Sequence, residues 1–124
     1  ASRYLPQIKI INWGISRRLL SKLSNFLAKL ILNVGLTDHT NGFRIYSRRS
    51  VELIVKKCGK IGSGFIILSE ILLTIKSKKF TIGETPTIFI NRKRGESSVN
   101  TKLIIESLIG LVKLYFIKKR IIKF

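Results

Sequence analysis

The chain has one cysteine, Cys58, one histidine, His39, and no methionine in 124 residues. A lone cysteine excludes an intrachain disulfide. One Cys and one His are too few for a structural zinc cluster. Acids are scarce as well: 6 Asp and Glu stand against 24 Lys and Arg, for a net charge of +18. No Asp-x-Asp occurs, and no carboxylate pair is spaced to hold a divalent metal. Neither a Walker glycine loop nor a G-x-G-x-x-G is present, so no site for a nucleotide diphosphate is visible. The start has no signal-peptide layout, and no uncharged apolar run reaches the ~18 to 20 residues that span a bilayer. With no initiating methionine, the chain is expected to be processed or part of something longer.

What the chain has in excess is positive charge and apolar residues. A content of 45% hydrophobic residues suffices for the core of one ordinary domain. The charge predicts attraction to a polyanion: nucleic acid, an anionic bilayer or a phosphorylated ligand. It does not choose among them.

Residues 13–32 read as an amphipathic helix, with Leu19, Leu20, Leu23, Phe26, Leu27, Leu30 and Ile31 on an i, i+3, i+4, i+7 pattern. Ser16 is placed to cap it and Gly35 to end it. A short helix capped at Ser50 follows, then a mostly buried helix from Phe65 that carries Glu70. Residues 80–92 read as a strand, with Pro86 pushing it toward an edge or a bulge. "SRY" at 2–4 reads as extended. A last amphipathic helix covers about 101–123 and ends in a cationic tail. One clear strand and one partial strand are too few to cover these helices, so the missing strands are expected before Ala1.

Arg3, Arg17, Arg44 and Arg92 sit at loops or element ends, where guanidinium groups suit phosphate. Arg17 and Ser21, one turn apart, offer one anion a fork and a hydroxyl. Charge alone reads the same residues as solvated surface. The stretch "TDHTNGFRIYSRR" (37–49) places Asp38 before the Asn41-Gly42 turn and Arg44. Spacing alone favours an aspartate that caps its own loop and pairs with Arg44 over a ligand-facing one. His39 reads as an ordinary exposed histidine. Glu70 reads as a partner for an arginine, and Glu84 as structural. The two cationic amphipathic helices fit a headgroup layer as well as they fit a domain core.

In order, the chain carries "SRY", "W-x3-RR-x2-S-x3-N", "D-x-T-N-G-F-R-x-Y", "G-F-x4-E", "I-x-E-x-P-x-x-F" and "R-x2-G-E-S". From Ser2 to about Ser98 this series resembles the C-terminal half of the family 2 glycosyltransferases that act on polyprenyl phosphates, the dolichyl-phosphate mannosyltransferase-like enzymes. The resemblance implies an α/β fold: the C-terminal part of a GT-A type (Rossmann-like) domain with amphipathic interfacial helices, the whole of 1–124 being its acceptor-side half. It implies that the nucleotide-sugar-binding half, with the metal-holding Asp-x-Asp, lies outside this chain. The activity it implies is inverting transfer of a hexose, mannose from GDP-mannose, to polyprenyl or dolichyl phosphate. The cofactor would be a divalent metal, Mg or Mn, with its ligands outside this chain. Arg3, Arg17 and Ser21 match family positions that contact phosphate. Asp38 and Arg44 match the loop lining the catalytic centre, and Arg92 and Ser97 the loop that closes over substrates. The implied setting is an anionic membrane surface on the cytosolic face, at the endoplasmic reticulum of a eukaryote or the plasma membrane of a prokaryote. Three departures stand out: Ser98 where the family often has Lys, Leu68 where it often has Gln, and His39 where Leu is more usual. The competing expectation is a basic, non-catalytic module for anionic membrane or nucleic acid. For nucleic acid, aromatics should interleave with the basic residues, and here they fall mostly on apolar stripes.

Overall fold

The structure, a computed structural model, describes residues 1–6, 10–11, 14–62, 64–90 and 101–122. Its elements in order are β1 (Ile10–Ile11), α1 (Ile15–Leu32), α2 (Arg48–Lys57), α3 (Phe65–Ser77), β2 (Phe89–Ile90) and α4 (Thr101–Ile122).

Helix α1 forms where the apolar period predicts it, but its ends differ from expectation. Gly14, not Ser16, is the N-cap, and Asn33, not Gly35, is the C-cap. Asn33 adopts the left-handed conformation, φ 50 and ψ 40, and its N–H donates to the Lys29 carbonyl. Asparagine tolerates that region better than other side-chain-bearing residues. In α2 the cap is Ser47, whose Oγ accepts the Ser50 N–H. The Ser50 hydroxyl in turn donates to the Ser47 carbonyl at 2.7 Å, so the two serines divide the work expected of Ser50 alone.

Helix α3 is the central element: Ile66, Ser69, Glu70, Ile71, Leu72, Leu73 and Ile75 are all buried. It starts after Gly64, which has φ +63, and an added Cβ there would meet the Leu103 side chain of α4 at 2.8 Å. Conformation and space both call for glycine. Ala28 and Leu32 of α1, Val34 and Leu36 of the following loop, Ile66, Leu72 and Leu73 of α3, and Leu111 and Leu114 of α4 make one buried cluster. A leucine as enclosed as Leu32 or Leu114, each 1% exposed, stabilises a fold by about 2–5 kcal/mol over alanine.

The expected α/β, Rossmann-like architecture is not what these residues form. Helices of 18, 10, 13 and 22 residues dominate. Among the described residues the one sheet pairs β1 with β2 in parallel, over two residues each. An isolated bridge joins Ser2 to Pro86, with Ser2 N–H donating to the Thr85 carbonyl and Thr87 N–H to the Ser2 carbonyl. The physical reason is partnership. A strand is stabilised by neighbours across a ladder, and most of 80–88 has none here. The helices bury part of their apolar surface on one another around α3 instead. "SRY" is extended as expected, and Pro86 sits in the isolated bridge rather than in a continuous strand.

Candidate functional site

The loop after α1 turns on Asp38, whose side chain is wholly enclosed while that of Arg3 is 10% exposed. Arg3, 35 residues away in sequence, meets it in a fork: Nε donates to Oδ2 at 2.7 Å and Nη2 to Oδ1 at 2.9 Å. The Arg3 backbone N–H adds a third bond to Oδ2. The N–H groups of Thr40 and Asn41 complete the shell on Oδ1. Asp38 therefore caps its own loop and anchors a guanidinium at once. Burial by itself drives the Asp38 pKa up. The hydrogen bonds and charge of Arg3, with backbone N–H groups of Arg3 and Thr40, outweigh it and hold the carboxyl below its usual 3.8.

Arg3 Nη2 also donates to the Thr40 hydroxyl at 2.7 Å, and that oxygen accepts Asn25 Nδ2 of α1 at 3.2 Å. Next to Arg3, the Tyr4 hydroxyl shares a 2.6 Å hydrogen bond with Ser21 Oγ of α1. Arg3, Asp38 and Ser21 thus converge from three segments. Arg17 lies one turn before Ser21 on α1. Arg92 and Ser97 lie outside the described residues.

Arg44 faces backbone and is not the partner of Asp38 that spacing offered, a place Arg3 takes. Its Nε donates to the Asn41 carbonyl, Nη1 to Leu68 of α3 and Nη2 to His39, all at 2.8–2.9 Å. Three of the five guanidinium N–H donors are thereby committed to holding the loop shut against α3. Glu84, read as structural, binds the loop from the other side: it accepts the N–H groups of Thr37 and Asp38 and the Thr37 hydroxyl. Asp38, Arg44 and Glu84 also border a cavity of about 220 Å³. That is below the ~300–1,000 Å³ of most cofactor pockets.

Two readings are corrected. His39 is not exposed: it is fully buried, and neither ring nitrogen has a hydrogen-bond partner. Burial, reinforced by the Arg44 charge, holds its pKa below 6.5. Asp38, Glu84 and the Leu36 backbone oppose this only in part. Glu70 meets the Gly59 N–H at 2.9 Å, not an arginine.

The outer side of α1 carries an exposed apolar stripe, Ile15, Leu19, Leu23, Phe26 and Leu30, bordered by Arg18, Lys22 and Lys29. Helix α4 has another, of Ile105, Leu108, Ile109, Val112 and Phe116. No helix of the described residues is long and apolar enough to cross a membrane.

Two curated relatives align with nearly the whole chain. The undecaprenyl-phosphate mannosyltransferase of Micrococcus luteus is 27% identical over 115 residues, 90% of this chain and 46% of that protein. The polyprenol monophosphomannose synthase of Mycolicibacterium smegmatis is 30% identical over 107 residues, 86% of this chain and 40% of that protein. The chain is similar to polyprenyl-phosphate mannosyltransferases. It spans less than half the length of either relative. No family model matches it, and no solved structure does.

Within this polyprenyl-phosphate mannosyltransferase-like chain, Tyr4, Asn25, Thr40 and Glu84 join the site though none was singled out as a site residue from the sequence. Each is a fixed letter of the ordered motifs: the Tyr of "SRY", the Asn four after Ser21, the Thr two after Asp38 and the Glu of "I-x-E-x-P". The signal was present, but their hydrogen-bonding roles are set by contacts across the fold.

Proposed function

We propose that this chain supplies the acceptor side of an inverting glycosyltransferase that moves mannose from GDP-mannose onto a polyprenyl or dolichyl phosphate at a membrane surface. The reading rests on the similarity to the two mannosyltransferases and on one observation above all. Arg3 is held in a fixed plane by Asp38 and Thr40, beside the Tyr4–Ser21 pair, on a helix whose far side is an exposed apolar stripe flanked by cations. Guanidinium and hydroxyl groups grip a phosphate. The stripe and its bordering cations suit the headgroup layer of an anionic bilayer, where a lipid-borne phosphate lies.

The chemistry asks for positioning more than for a base. An acceptor phosphate oxygen, already anionic near neutral pH, attacks the anomeric carbon. The new carbon–oxygen bond forms as the bond to the departing nucleoside diphosphate breaks, and no proton has to leave the nucleophile. Asp38, encircled by donors and held ionised, serves by fixing Arg3. Arg44 serves by fixing the loop. Arg17 and Ser21 meet the acceptor phosphate, a task the resemblance extends to Arg92 and Ser97. The resemblance also implies a divalent metal. Among the described residues no group of three or more His, Cys, Asp or Glu is arranged to hold one, and Asp38 and Glu84 turn their oxygens to Arg3 and to loop donors. These residues do not fit a metal, and the resemblance puts its ligands outside this chain.

The test is transfer of radiolabel from GDP-mannose to polyprenyl phosphate by the full-length protein. Arg3→Ala and Arg17→Ala are expected to lower kcat/KM about 100-fold each, the scale of losing one preorganised donor to a reacting anion. Wild-type rates in both variants would sink the assignment.

A further inference from the structure

Helix α1 has two faces with different business. Outward lies the apolar stripe; inward, mid-helix, lies Asn25, only 6% exposed. A buried amide inside a helix is costly unless satisfied, and this one is satisfied in a way that fixes its orientation. Nδ2 donates to the Ser21 carbonyl at 2.9 Å and to Thr40 Oγ1 at 3.2 Å, while Oδ1 accepts the His39 N–H at 2.6 Å. Turning the amide over would set its NH2 against the His39 N–H and its oxygen against the Ser21 carbonyl. Thr40 Oγ1 in turn accepts from Arg3 and donates to Asp38, using the hydroxyl's one donor and two acceptor positions. An unbroken chain of bonds therefore runs from the middle of α1 through Asn25 and Thr40 to the Arg3–Asp38 pair.

We propose that Asn25 is a positioning residue that couples the seating of α1 on the membrane to the alignment of the acceptor-phosphate cluster. The proposal rests on the acceptor reading above. A shift or tilt of α1 as its stripe enters the headgroup layer carries Asn25 with it. Through Thr40 and the His39 backbone, the guanidinium of Arg3 is then set for a phosphate hanging in the same plane. The cluster is thus in register when α1 is seated, and a lipid-borne acceptor is favoured over a soluble one of the same chemistry.

The experiment uses the full-length protein and two acceptors: a long-chain polyprenyl phosphate in phosphatidylcholine–phosphatidylglycerol vesicles, and a short-chain, water-soluble polyprenyl phosphate. The readout is the ratio of kcat/KM for the vesicle acceptor to that for the soluble one. Asn25→Ala is expected to lower this ratio about tenfold, the scale of one or two lost hydrogen bonds, with turnover of the soluble acceptor falling by much less than that of the vesicle acceptor and binding to acceptor-free vesicles staying near wild type. Asn25→Asp, which keeps the acceptor for the His39 N–H and loses the donor to Thr40, is expected to lower the ratio similarly and serves if the alanine variant does not fold. An equal fall for both acceptors in these variants would mark Asn25 as merely structural and overturn the proposal, as would an unchanged ratio. Failure of the wild type to use either acceptor would instead remove the acceptor reading beneath it.

Discussion

At the scale of single residues, the loop at 37–44 holds two buried ionisable groups that want opposite things. Asp38 is ionised and surrounded by donors. His39 is buried without a partner for either nitrogen, and burial favours its neutral ring. The sign of its linkage follows. The folded pKa lies below the 6.5 of an unfolded chain, so the unfolded state binds more protons between those values. The stability is complete above 6.5 and falls as the pH drops toward the folded pKa. Asp38, also lowered, contributes fully above 3.8 and is lost as the pH falls through its own folded value, a second and more acidic stage. His39→Leu is expected to abolish the first stage and leave the second. Because it also removes two unsatisfied buried atoms, it should raise stability near neutrality by about 1–2 kcal/mol. Urea midpoints measured from pH 7.5 down to 4 read both effects, and an unchanged slope between pH 7 and 5 would contradict them. The ordered motifs put Arg3 and Asp38 in one site but not as a pair: 35 residues separate them, and spacing offered Arg44 as the partner of Asp38. The burial of His39 was not legible: a polar loop reads as solvent-facing until Asn25 and Arg44, from α1 and from beyond the turn, are seen folded over its backbone.

At the scale of elements, helices were legible and strands were not. Apolar periodicity is a property of the segment itself, so α1, α3 and α4 lie where their patterns put them. The ends were less so, because Ser16, Asn33 and Gly35 are all acceptable terminators and packing chose among them. Residues 80–92 have the β-branched content of a strand, yet a ladder needs a partner that no single segment encodes, and among the described residues of this segment only Phe89–Ile90 pairs in one. The contact between α3 and α4 makes a sharper prediction. Gly110 on α4 lies against Ile66 of α3, and an added Cβ would run into the Ile66 side chain. Ile66 is 3% exposed and has little room to withdraw. Gly110→Ala gains up to about 1 kcal/mol in helix propensity but overpacks the contact by about 1–3 kcal/mol. A net loss of stability is therefore expected. Adding Ile66→Ala should remove the clash, so the two changes together should cost less than the sum of their separate effects in a double-mutant cycle. Strict additivity would show that the helices do not approach at this point.

At the scale of the whole molecule, a net charge of +18 draws the protein to any polyanion, and attraction alone does not tell a bilayer from a nucleic acid. The exposed apolar stripe of α1 gives an experiment the means to tell them apart. Raising the salt from 0.1 to 1 M shortens the screening length from about 10 to about 3 Å, which strips away most long-range attraction to either partner. A bilayer also takes up apolar side chains, and that contribution survives salt. Leu23 and Phe26 are 55% and 61% exposed, and sinking each exposed part into lipid is worth on the order of 1 kcal/mol or more. Leu23→Ser with Phe26→Ser is therefore expected to weaken binding to phosphatidylcholine–phosphatidylglycerol vesicles about tenfold to thirtyfold at 1 M salt. The fold should be undisturbed, since neither side chain belongs to the buried cluster. Vesicle co-sedimentation of the full-length protein reads the effect directly, with duplex and single-stranded nucleic acid as the comparison. A basic module built for nucleic acid would release its partner at 1 M salt and ignore both substitutions. A protein that works on a lipid-borne phosphate keeps a salt-resistant foothold, and it is the serine pair, not the salt, that should break it.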